Sequence, residues 1–168
     1  VKHIDSNFWK VFTFDFINGK PFTIEEFNSG IRTAVISSSM ANTLFGTTEA
    51  EGKRIVLNAD EYRVSGVVRN TSFATPDSFS EVWIPYTLSP AHLSLNQPLM
   101  KSIIGPLNVY LLAASSADMD KIKEEVDEVL RKISNSQDEF VINSYGYPEP
   151  FWKNIFREYS LRELDWGE

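Results

Sequence analysis

The sequence predicts an α+β fold, a class in which helices and strands follow one another without strict alternation. Apolar, β-branched runs of strand length occur at residues 33–36, 62–68 and 107–114, and such runs are typical of buried strands. Residues after Ser115 instead carry apolar side chains at helical spacing with charged ones between them. The apolar fraction of 42% and the charged fraction of 23% are ordinary for a globular domain with a core.

The first predicted elements lie in residues 5–30. We expect a helix that changes to extended chain near Thr13, because the rings of this stretch fit both helical spacing and alternation. Those rings are Phe8, Trp9, Phe12, Phe14 and Phe16. Thr23 and Glu26 have the spacing of a capping box, and Gly30 can end the short helix that follows.

A strand and a helix are predicted next. The strand at 33–36 leads into a helix that Ser37 can cap and that Gly46 can end, because glycine adopts a positive φ without a Cβ penalty. One face of this helix carries its apolar residues, which are Met40, Ala41, Leu44 and Phe45.

Three further strands complete the first half. Strands at 54–57 and 62–68 are separated by a short polar hairpin loop, and Gly66 predicts a bulge or a close backbone approach. A strand at 81–86 contains Pro85, which places it at a sheet edge or puts the proline at the strand's end.

A β-α-β unit is predicted between residues 107 and 143. It consists of a buried strand at 107–114, a helix capped by Ser115 and Asp118, and a strand at 140–143. The apolar stripe of the helix is Met119, Ile122, Val126, Val129, Leu130 and Ile133.

A last helix is predicted at 150–162, with an apolar face of Phe151, Trp152, Ile155, Phe156 and Tyr159. We expect this helix either to pack on its own domain or to continue toward a membrane helix. No stretch reaches the ~20 apolar residues that span a bilayer, and the chain begins at Val1. We therefore interpret the sequence as a fragment of a longer chain.

Charge and cysteine content exclude several classes of function. The net charge of -7 disfavours binding to nucleic acid, because an acidic chain repels phosphate. The absence of cysteine excludes disulfides, thiolate catalysis and zinc-cysteine sites.

No catalytic, cofactor-binding or metal-ligating residue is predicted, and the chain is predicted not to be an enzyme. His3 and His92 lack a carboxylate at ligand spacing. The serines at 37–39 stand at a strand-to-helix turn but lack the flanking glycines of a nucleophile elbow. The paired acids, which are Glu25, Glu26, Glu49 and Glu51, have the pattern of carboxylates that favour helix termini.

Five motifs in order resemble the MacB-like periplasmic core domains of ABC transporter permeases, the MacB/FtsX-type permease family. They are Gly19-Lys20-Pro21-Phe22-Thr23, with Lys20 in place of the family's usual Arg; Val35-Ile36-Ser37 with Leu44-Phe45-Gly46; Gly52-Lys53 with Ile55; Val64-Ser65-Gly66-Val67-Val68; and Trp83-Ile84-Pro85-Tyr86. The family has a longer segment before its counterpart of residues 5–16 than this chain has.

The resemblance implies two small α/β lobes and an extracytoplasmic location. Residues 6–82 would form a small α/β lobe, while residues 1–5 and 83–148 would form a porter-like β-α-β lobe. Residues 149–168 would form a helix leading toward a membrane helix that this sequence does not contain.

The function that the resemblance implies is that of a periplasmic domain of an inner-membrane permease. It would couple ATP-driven motion of the membrane part to export of a substrate or to a periplasmic partner. The implied partners are a separate cytoplasmic ATPase subunit or domain, membrane helices of the same chain, a second permease copy and a periplasmic protein. No cofactor is implied.

Two other classes of function compete with this one. A free-standing ligand- or glycan-binding module would use exposed rings such as Trp9 or Trp152 as stacking platforms on a concave face. A hydrolase would need a nucleophile beside a base, and no such pair is found in the sequence.

Overall fold

A computed structural model describes residues 1–89, 108–135, 150–151 and 153. The chain divides into two compact units, Val1–Ser102 and Ile103–Glu168. In the first unit the strands are β1 (Lys2–Ile4), β2 (Phe16–Gly19), β3 (Thr33–Ser37), β4 (Arg54–Leu57), β5 (Asp60–Val68) and β6 (Val82–Pro85). Its helices are α1 (Phe8–Val11), α2 (Ile24–Asn28), α3 (Ser38–Phe45) and a 3₁₀ turn at Tyr86–Leu88. The second unit contains α4 (Asp118–Asn135).

The six strands form one mixed sheet in the order β1-β6-β3-β5-β2, with β4 also pairing β5. The β1–β6 and β3–β5 pairs are parallel, and the β6–β3, β5–β2 and β5–β4 pairs are antiparallel. Strand β5 is long enough to pair β4 along its first half and β2 along its second. A mixed sheet with irregularly placed helices confirms the predicted α+β class.

The β4–β5 hairpin is tighter than the sequence predicts. Leu57 pairs with Asp60, so Asn58 and Ala59 alone form the turn, and both have positive φ, at 50° and 72°. This pattern is that of a two-residue turn whose twist matches the flanking strands. Asn enters the left-handed region readily, whereas Ala does so with some strain.

Gly66 fulfils both predictions made for it. The β3–β5 register shifts between Ala34 and Val35, so one residue of β5 is extra at this point. A Cβ atom on Gly66 would lie 2.6 Å from the backbone oxygen of Lys20. Gly19, directly opposite, has φ 64°, and a Cβ atom there would lie 2.3 Å from the backbone oxygen of Ser65. The two backbones therefore approach each other at a distance that only glycine permits.

Helix α3 covers one face of the sheet. The buried core on this face is aliphatic apart from one tyrosine: Ala34, Ile36, Ala41, Ala50, Ile55, Tyr62, Val64, Val67, Val82 and Ile84. Met40 and Phe45 pack against it from α3, as predicted, whereas Leu44 is 51% exposed. We name this layer the aliphatic face.

The opposite face carries rings. Its buried members are Ile4, Phe8, Phe22, Val35, Val68 and Trp83, and Trp9, Phe12, Phe14, Phe16 and Phe27 pack against them. The short helices α1 and α2 both contribute to this covering. The chain becomes extended at Phe12, directly after α1, so the predicted change from helix to extended chain near Thr13 is confirmed. We name this layer the aromatic face.

The predicted helix caps are present. The Thr23 side chain accepts a hydrogen bond from the Glu26 backbone N–H, and the Glu26 carboxylate accepts one from the Thr23 N–H. Ser37 Oγ accepts from the Met40 N–H at 3.1 Å, and Gly46 ends α3 in the left-handed conformation. The two ends of α3 are thus specified by local sequence.

Strand β6 lies inside the sheet, between β1 and β3, and Pro85 is its last residue, which is the second of the two placements predicted for this proline. Strand β6 pairs with β1 on one side and with β3 on the other. The two lobes predicted from the sequence, residues 6–82 and residues 1–5 with 83–148, stay a prediction.

The second unit is described mainly at 108–135. Residues 108–113 lie in no strand, and Val109 and Leu112 are 80% and 70% exposed, so a buried strand at 107–114 is wrong for this part. An apolar run becomes a buried strand only where a neighbouring strand pairs with it, and a run of side chains does not specify that neighbour.

Helix α4 begins as predicted. The Asp118 carboxylate accepts hydrogen bonds from the N–H and the Oγ of Ser115 at 2.9 and 2.8 Å. Met119, Ile122 and Val126 are half-buried, Val129 is 54% exposed, and Lys132 pairs with Glu128 at 2.7 Å. The predicted strand at 140–143 lies outside the described residues, as does most of the last helix, of which Phe151 and Lys153 are helical.

Candidate functional site

The serines at the start of α3 make hydrogen bonds that stabilise the strand-to-helix turn. Ser37 Oγ caps the helix and donates to the Glu81 carboxylate at 2.8 Å. The Asn70 carboxamide oxygen accepts from Ser38 Oγ and from the Ser39 N–H, at 2.8 and 2.9 Å. No histidine lies in this constellation, and its hydroxyls are occupied. The arrangement secures the strand-to-helix turn and offers no activated nucleophile.

The paired acids noted in the sequence also have structural contacts. Glu26 accepts from Arg63 at 2.7 Å while it closes the capping box. Hydrogen bonds, first from the Thr23 side chain and then from backbone, hold the pKa of Glu25 below its ordinary value. Asn18 Oδ1 accepts from the backbone N–H groups of Ala50 and Glu51, at 3.1 and 2.8 Å, which fixes the loop after α3. These carboxylates are not brought together.

The histidines do not form a site. His3 is an exposed residue of β1, and partial desolvation, with a smaller contribution from the N-terminal ammonium, lowers its pKa. His92 lies outside the described residues. Among the residues that the structure describes, no group of three or more His, Asp or Glu side chains could hold a metal ion.

Trp9 is packed into the aromatic face and is not a free stacking platform. Its ring meets Phe14, Phe16, Phe22 and Trp83 edge-on, with centroid distances of 5.1 to 6.1 Å. The Trp152 side chain lies outside the described residues. Trp9 is therefore packed against four other rings of this layer and is half-buried.

The sequence analysis missed an exposed ring. Phe73 is 76% exposed, and its centroid lies 4.1 Å from that of Phe79. Both belong to residues 70–80, the segment between β5 and β6, which we name the β5–β6 loop. The available signal was two phenylalanines in an otherwise polar loop, since such loops seldom need rings for their own packing.

The β5–β6 loop is fixed to the sheet from several sides. Lys2 Nζ donates to the backbone oxygens of Pro76 and Asp77, and Trp83 Nε1 donates to the Ser78 oxygen at 3.3 Å. Asn70 joins the start of the loop to α3. The loop is therefore held by hydrogen bonds to β1, β6 and α3.

The described helices include none with the length and apolar content needed to cross a bilayer.

Two curated relatives are permeases. The chain is 23% identical over 145 residues to the uncharacterized ABC transporter permease YknZ of Bacillus subtilis strain 168, covering 84% of this chain and 34% of that protein. It is 27% identical over 132 residues to the macrolide export ATP-binding/permease protein MacB of Chlorobaculum tepidum, covering 74% of this chain and 19% of that protein. The chain thus spans about a third or less of these relatives.

Two solved structures share the fold. The extracellular domain of the noncanonic ABC-type transporter YknZ from Gram-positive bacteria superposes with a TM-score of 0.54 at 23% identity, covering 79% of this chain and 63% of that chain. A domain assigned to a permease protein of Porphyromonas gingivalis gives 0.51 at 22% identity, covering 90% and 68%.

The family model described as the MacB-like periplasmic core domain matches residues 1–129. That range contains all five motifs, the whole mixed sheet and much of α4, and it confirms the resemblance and the extracytoplasmic location predicted from the sequence. The chain belongs to the family of MacB-like periplasmic core domains of ABC transporter permeases.

Proposed function

We propose that this chain is the domain through which an ABC transporter permease passes ATP-driven motion of its membrane part to the extracytoplasmic side. The motion would expel a substrate or act on an extracytoplasmic partner protein. The family match over residues 1–129 carries the proposal. The relative from Chlorobaculum tepidum is named a macrolide export protein, but the substrate of this chain is left open.

The architecture supports a mechanical role. The five residues of β3 are all buried, and both faces of the sheet are covered. A sheet packed on both sides moves as a rigid body, because close-packed interiors deform little and transmit displacement. A rigid body of this kind suits the transfer of movement from membrane helices to a partner.

The proposed partners are the remaining parts of such a transporter. They are membrane helices of the same chain, a cytoplasmic ATPase subunit or domain, a second permease copy and an extracytoplasmic protein. We propose that the chain itself neither binds ATP nor catalyses a reaction. In calorimetry, the isolated chain should take up no ATP saturably, and stoichiometric uptake would overturn this part.

The coupling role is tested in the intact permease reconstituted with its ATPase in lipid vesicles. The residues of this domain are replaced by a short flexible linker, and ATP hydrolysis and substrate movement are measured together. We expect hydrolysis to persist while movement or partner response is lost. Undiminished movement without the domain would refute the coupling role.

The glycan-binding alternative receives less support. Trp9, the ring proposed for stacking, is enclosed by other rings of the aromatic face. Saturable binding of oligosaccharides to the isolated chain, with Trp9 quenched, would restore this alternative.

A further inference from the structure

We propose that the edge strand β1 and the β5–β6 loop form one conformational unit, in which Lys2 is a latch that keeps the loop in its described conformation only while β1 is paired with β6. Lys2 is thus assigned as a positioning residue. The latch is a device within the fold and goes beyond the proposed function, which does not need it. Within that function, it would give movement of the amino-terminal strand a path to the surface of the domain.

Two neighbouring side chains hold three consecutive carbonyl groups of the loop. Lys2 Nζ donates to the backbone oxygens of Pro76, at 2.7 Å, and of Asp77, and Trp83 Nε1 donates to the oxygen of Ser78 at 3.3 Å. Lys2 and Trp83 are register partners in the parallel β1–β6 pair. The two donors therefore lie side by side only while β1 is paired, so the pairing of β1 and the anchoring of the loop depend on each other.

Strand β1 is one of the strands that can leave the sheet at low cost. It has three residues, lies at one end of the strand order and, within the described part of the chain, pairs only with β6. An edge strand loses one ladder of hydrogen bonds when it detaches, whereas β3 and β5 would each lose ladders on two sides. Local openings begin in segments with few contacts, so β1 is a place where this sheet can open.

The described conformation of the loop carries two costs. Thr71 Oγ1 is buried without a hydrogen-bond partner among the described residues, and burial of an unpaired hydroxyl is unfavourable. Phe73 is 76% exposed, so most of the stabilisation that burial of a ring provides is not obtained. A rearranged loop can relieve both costs, and the described conformation therefore depends on anchors outside the loop.

The start of the loop is anchored independently of β1. Asn70 Oδ1 accepts from Ser38 Oγ and from the Ser39 N–H, and Asn70 Nδ2 donates to Ser39 Oγ at 2.7 Å. Loss of the Lys2 contacts therefore leaves the loop attached to α3 while it is released from β1. We expect a rearrangement of residues 71–80 and not an unfolding of the domain.

Hydrogen–deuterium exchange of the full chain, measured by mass spectrometry, tests the latch. The reporter is the peptide of residues 72–80, because the N–H groups of Ser78 and Phe79 donate to the Thr75 oxygen in the described conformation. Lys2→Met keeps the aliphatic stem but removes the donor. It should accelerate exchange of the reporter by about tenfold, as for loss of one hydrogen bond from a charged donor. The β4–β5 hairpin, residues 54–63, should change little.

Two further substitutions separate the latch from a general effect of charge. Lys2→Arg restores a charged donor and should return most of the protection of the reporter. Lys10→Met removes an exposed ammonium that donates to Asn7 Oδ1 at 3.1 Å, and it should leave the reporter unchanged. Equal acceleration by Lys2→Met and Lys10→Met would contradict the latch.

A second pair of variants tests whether β1 controls the loop. Ile4→Ala weakens the packing of β1 on the aromatic face, and Ile55→Ala is the matched change on the aliphatic face, since these side chains are 5% and 6% exposed. Ile4→Ala should accelerate exchange of the reporter, whereas Ile55→Ala should accelerate that of the hairpin. In the Lys2→Met background, Ile4→Ala should add little to exchange of the reporter, because the link is already absent.

Three results would overturn the inference. The first is a reporter that Lys2→Met leaves unchanged. The second is equal acceleration of the reporter and the hairpin by Lys2→Met, which would mean that the whole domain has loosened. The third is an effect of Ile4→Ala on the reporter that is the same with and without the Lys2 ammonium.

Discussion

The two faces of the central sheet are covered in different ways. The aliphatic face packs against α3, an eight-residue helix with both ends capped. The aromatic face packs against residues 5–15 and 20–28, whose helices α1 and α2 are only four and five residues long. Small aliphatic side chains form an even surface that a helix can cover, whereas large rings fill the irregular spaces beneath a segment without a long helix.

The difference shows how one sheet can be buried on both sides without two helical layers. Along β6 the side chains alternate, with Val82 and Ile84 on the aliphatic face and Trp83 on the aromatic face. Each Phe or Trp ring can bury 150–250 Å², so a few rings replace a helix. We expect the aromatic face to depend on single large residues, and the aliphatic face on its helix.

The largest effect is expected on the aromatic face. Trp83 is fully buried and touches the rings of Trp9 and Phe14, at 6.1 and 5.4 Å between centroids. Trp83→Ala should lower the free energy of unfolding by about 3–5 kcal/mol, because it removes contacts and leaves a cavity. Urea denaturation of the isolated chain measures this.

Trp83→Phe is the matched variant. It keeps a ring but loses the hydrogen bond to Ser78, so the loss should be clearly smaller than for alanine. If alanine costs no more than phenylalanine, the aromatic face does not depend on this ring.

The second effect concerns Gly19, the last residue of β2, where the backbones of β2 and β5 approach each other closely. Gly19→Ala combines strain at φ 64° with a Cβ atom 2.3 Å from a backbone oxygen. Gly52→Ala has comparable strain, at φ 79°, but nothing within 4 Å of the new atom. We expect roughly 1–2 kcal/mol for Gly52→Ala, the cost of the left-handed conformation alone, and a larger loss for Gly19→Ala. Equal losses in thermal unfolding would show that β2 and β5 can separate.

A smaller loss of stability is expected at the N-terminus of α3, the helix that packs on the aliphatic face. Ser37→Ala removes the N-cap of α3 and should cost about 1 kcal/mol, within a range of roughly 0.5–2. Thr43→Ala, on the exposed surface of the same helix, serves as the control and should stay within about 0.5 kcal/mol of the original protein. An N-cap variant as stable as this control would mean that packing alone positions α3.

The smallest effect is a pH dependence from β1, the strand at the sheet edge. Partial desolvation, with a smaller contribution from the N-terminal ammonium, lowers the pKa of His3 below its ordinary value of 6.5. The folded state then binds a proton less readily than the unfolded state, so stability should decline as the pH falls below 6.5. His3→Gln should remove this part of the decline, as measured by unfolding above and below that pH. An unchanged pH profile would assign the decline to other groups.

Local signals predicted the first unit well. The capping box at Thr23, the cap at Ser37 and the left-handed Gly46 each depend on neighbours within a few residues, which is why sequence reveals them. The two consequences of Gly66 were likewise predicted from one residue, although its contact with Lys20 is not local.

Pairing between distant segments was not predictable in the same way. The apolar pattern of residues 108–113 resembles that of β3, but burial of β3 comes from β5 and β6 on its two sides. The place of β6 inside the sheet likewise depends on β1. The exposure of Phe73 was missed because exposure is a property of the folded surface, and a phenylalanine in a sequence indicates burial.

The pairing of β1 with β6 has a consequence for the order in which the chain can fold. Lys2 lies beside Trp83 and Ile4 beside Pro85, so β1 can pair only after β6, about 80 residues later in the chain, has been made. While the chain emerges from the ribosome or crosses a membrane from its amino end, β1 waits unpaired until residue 85 has followed. Ile4, Phe8 and their neighbours are exposed during that interval, and contacts so distant in sequence slow folding.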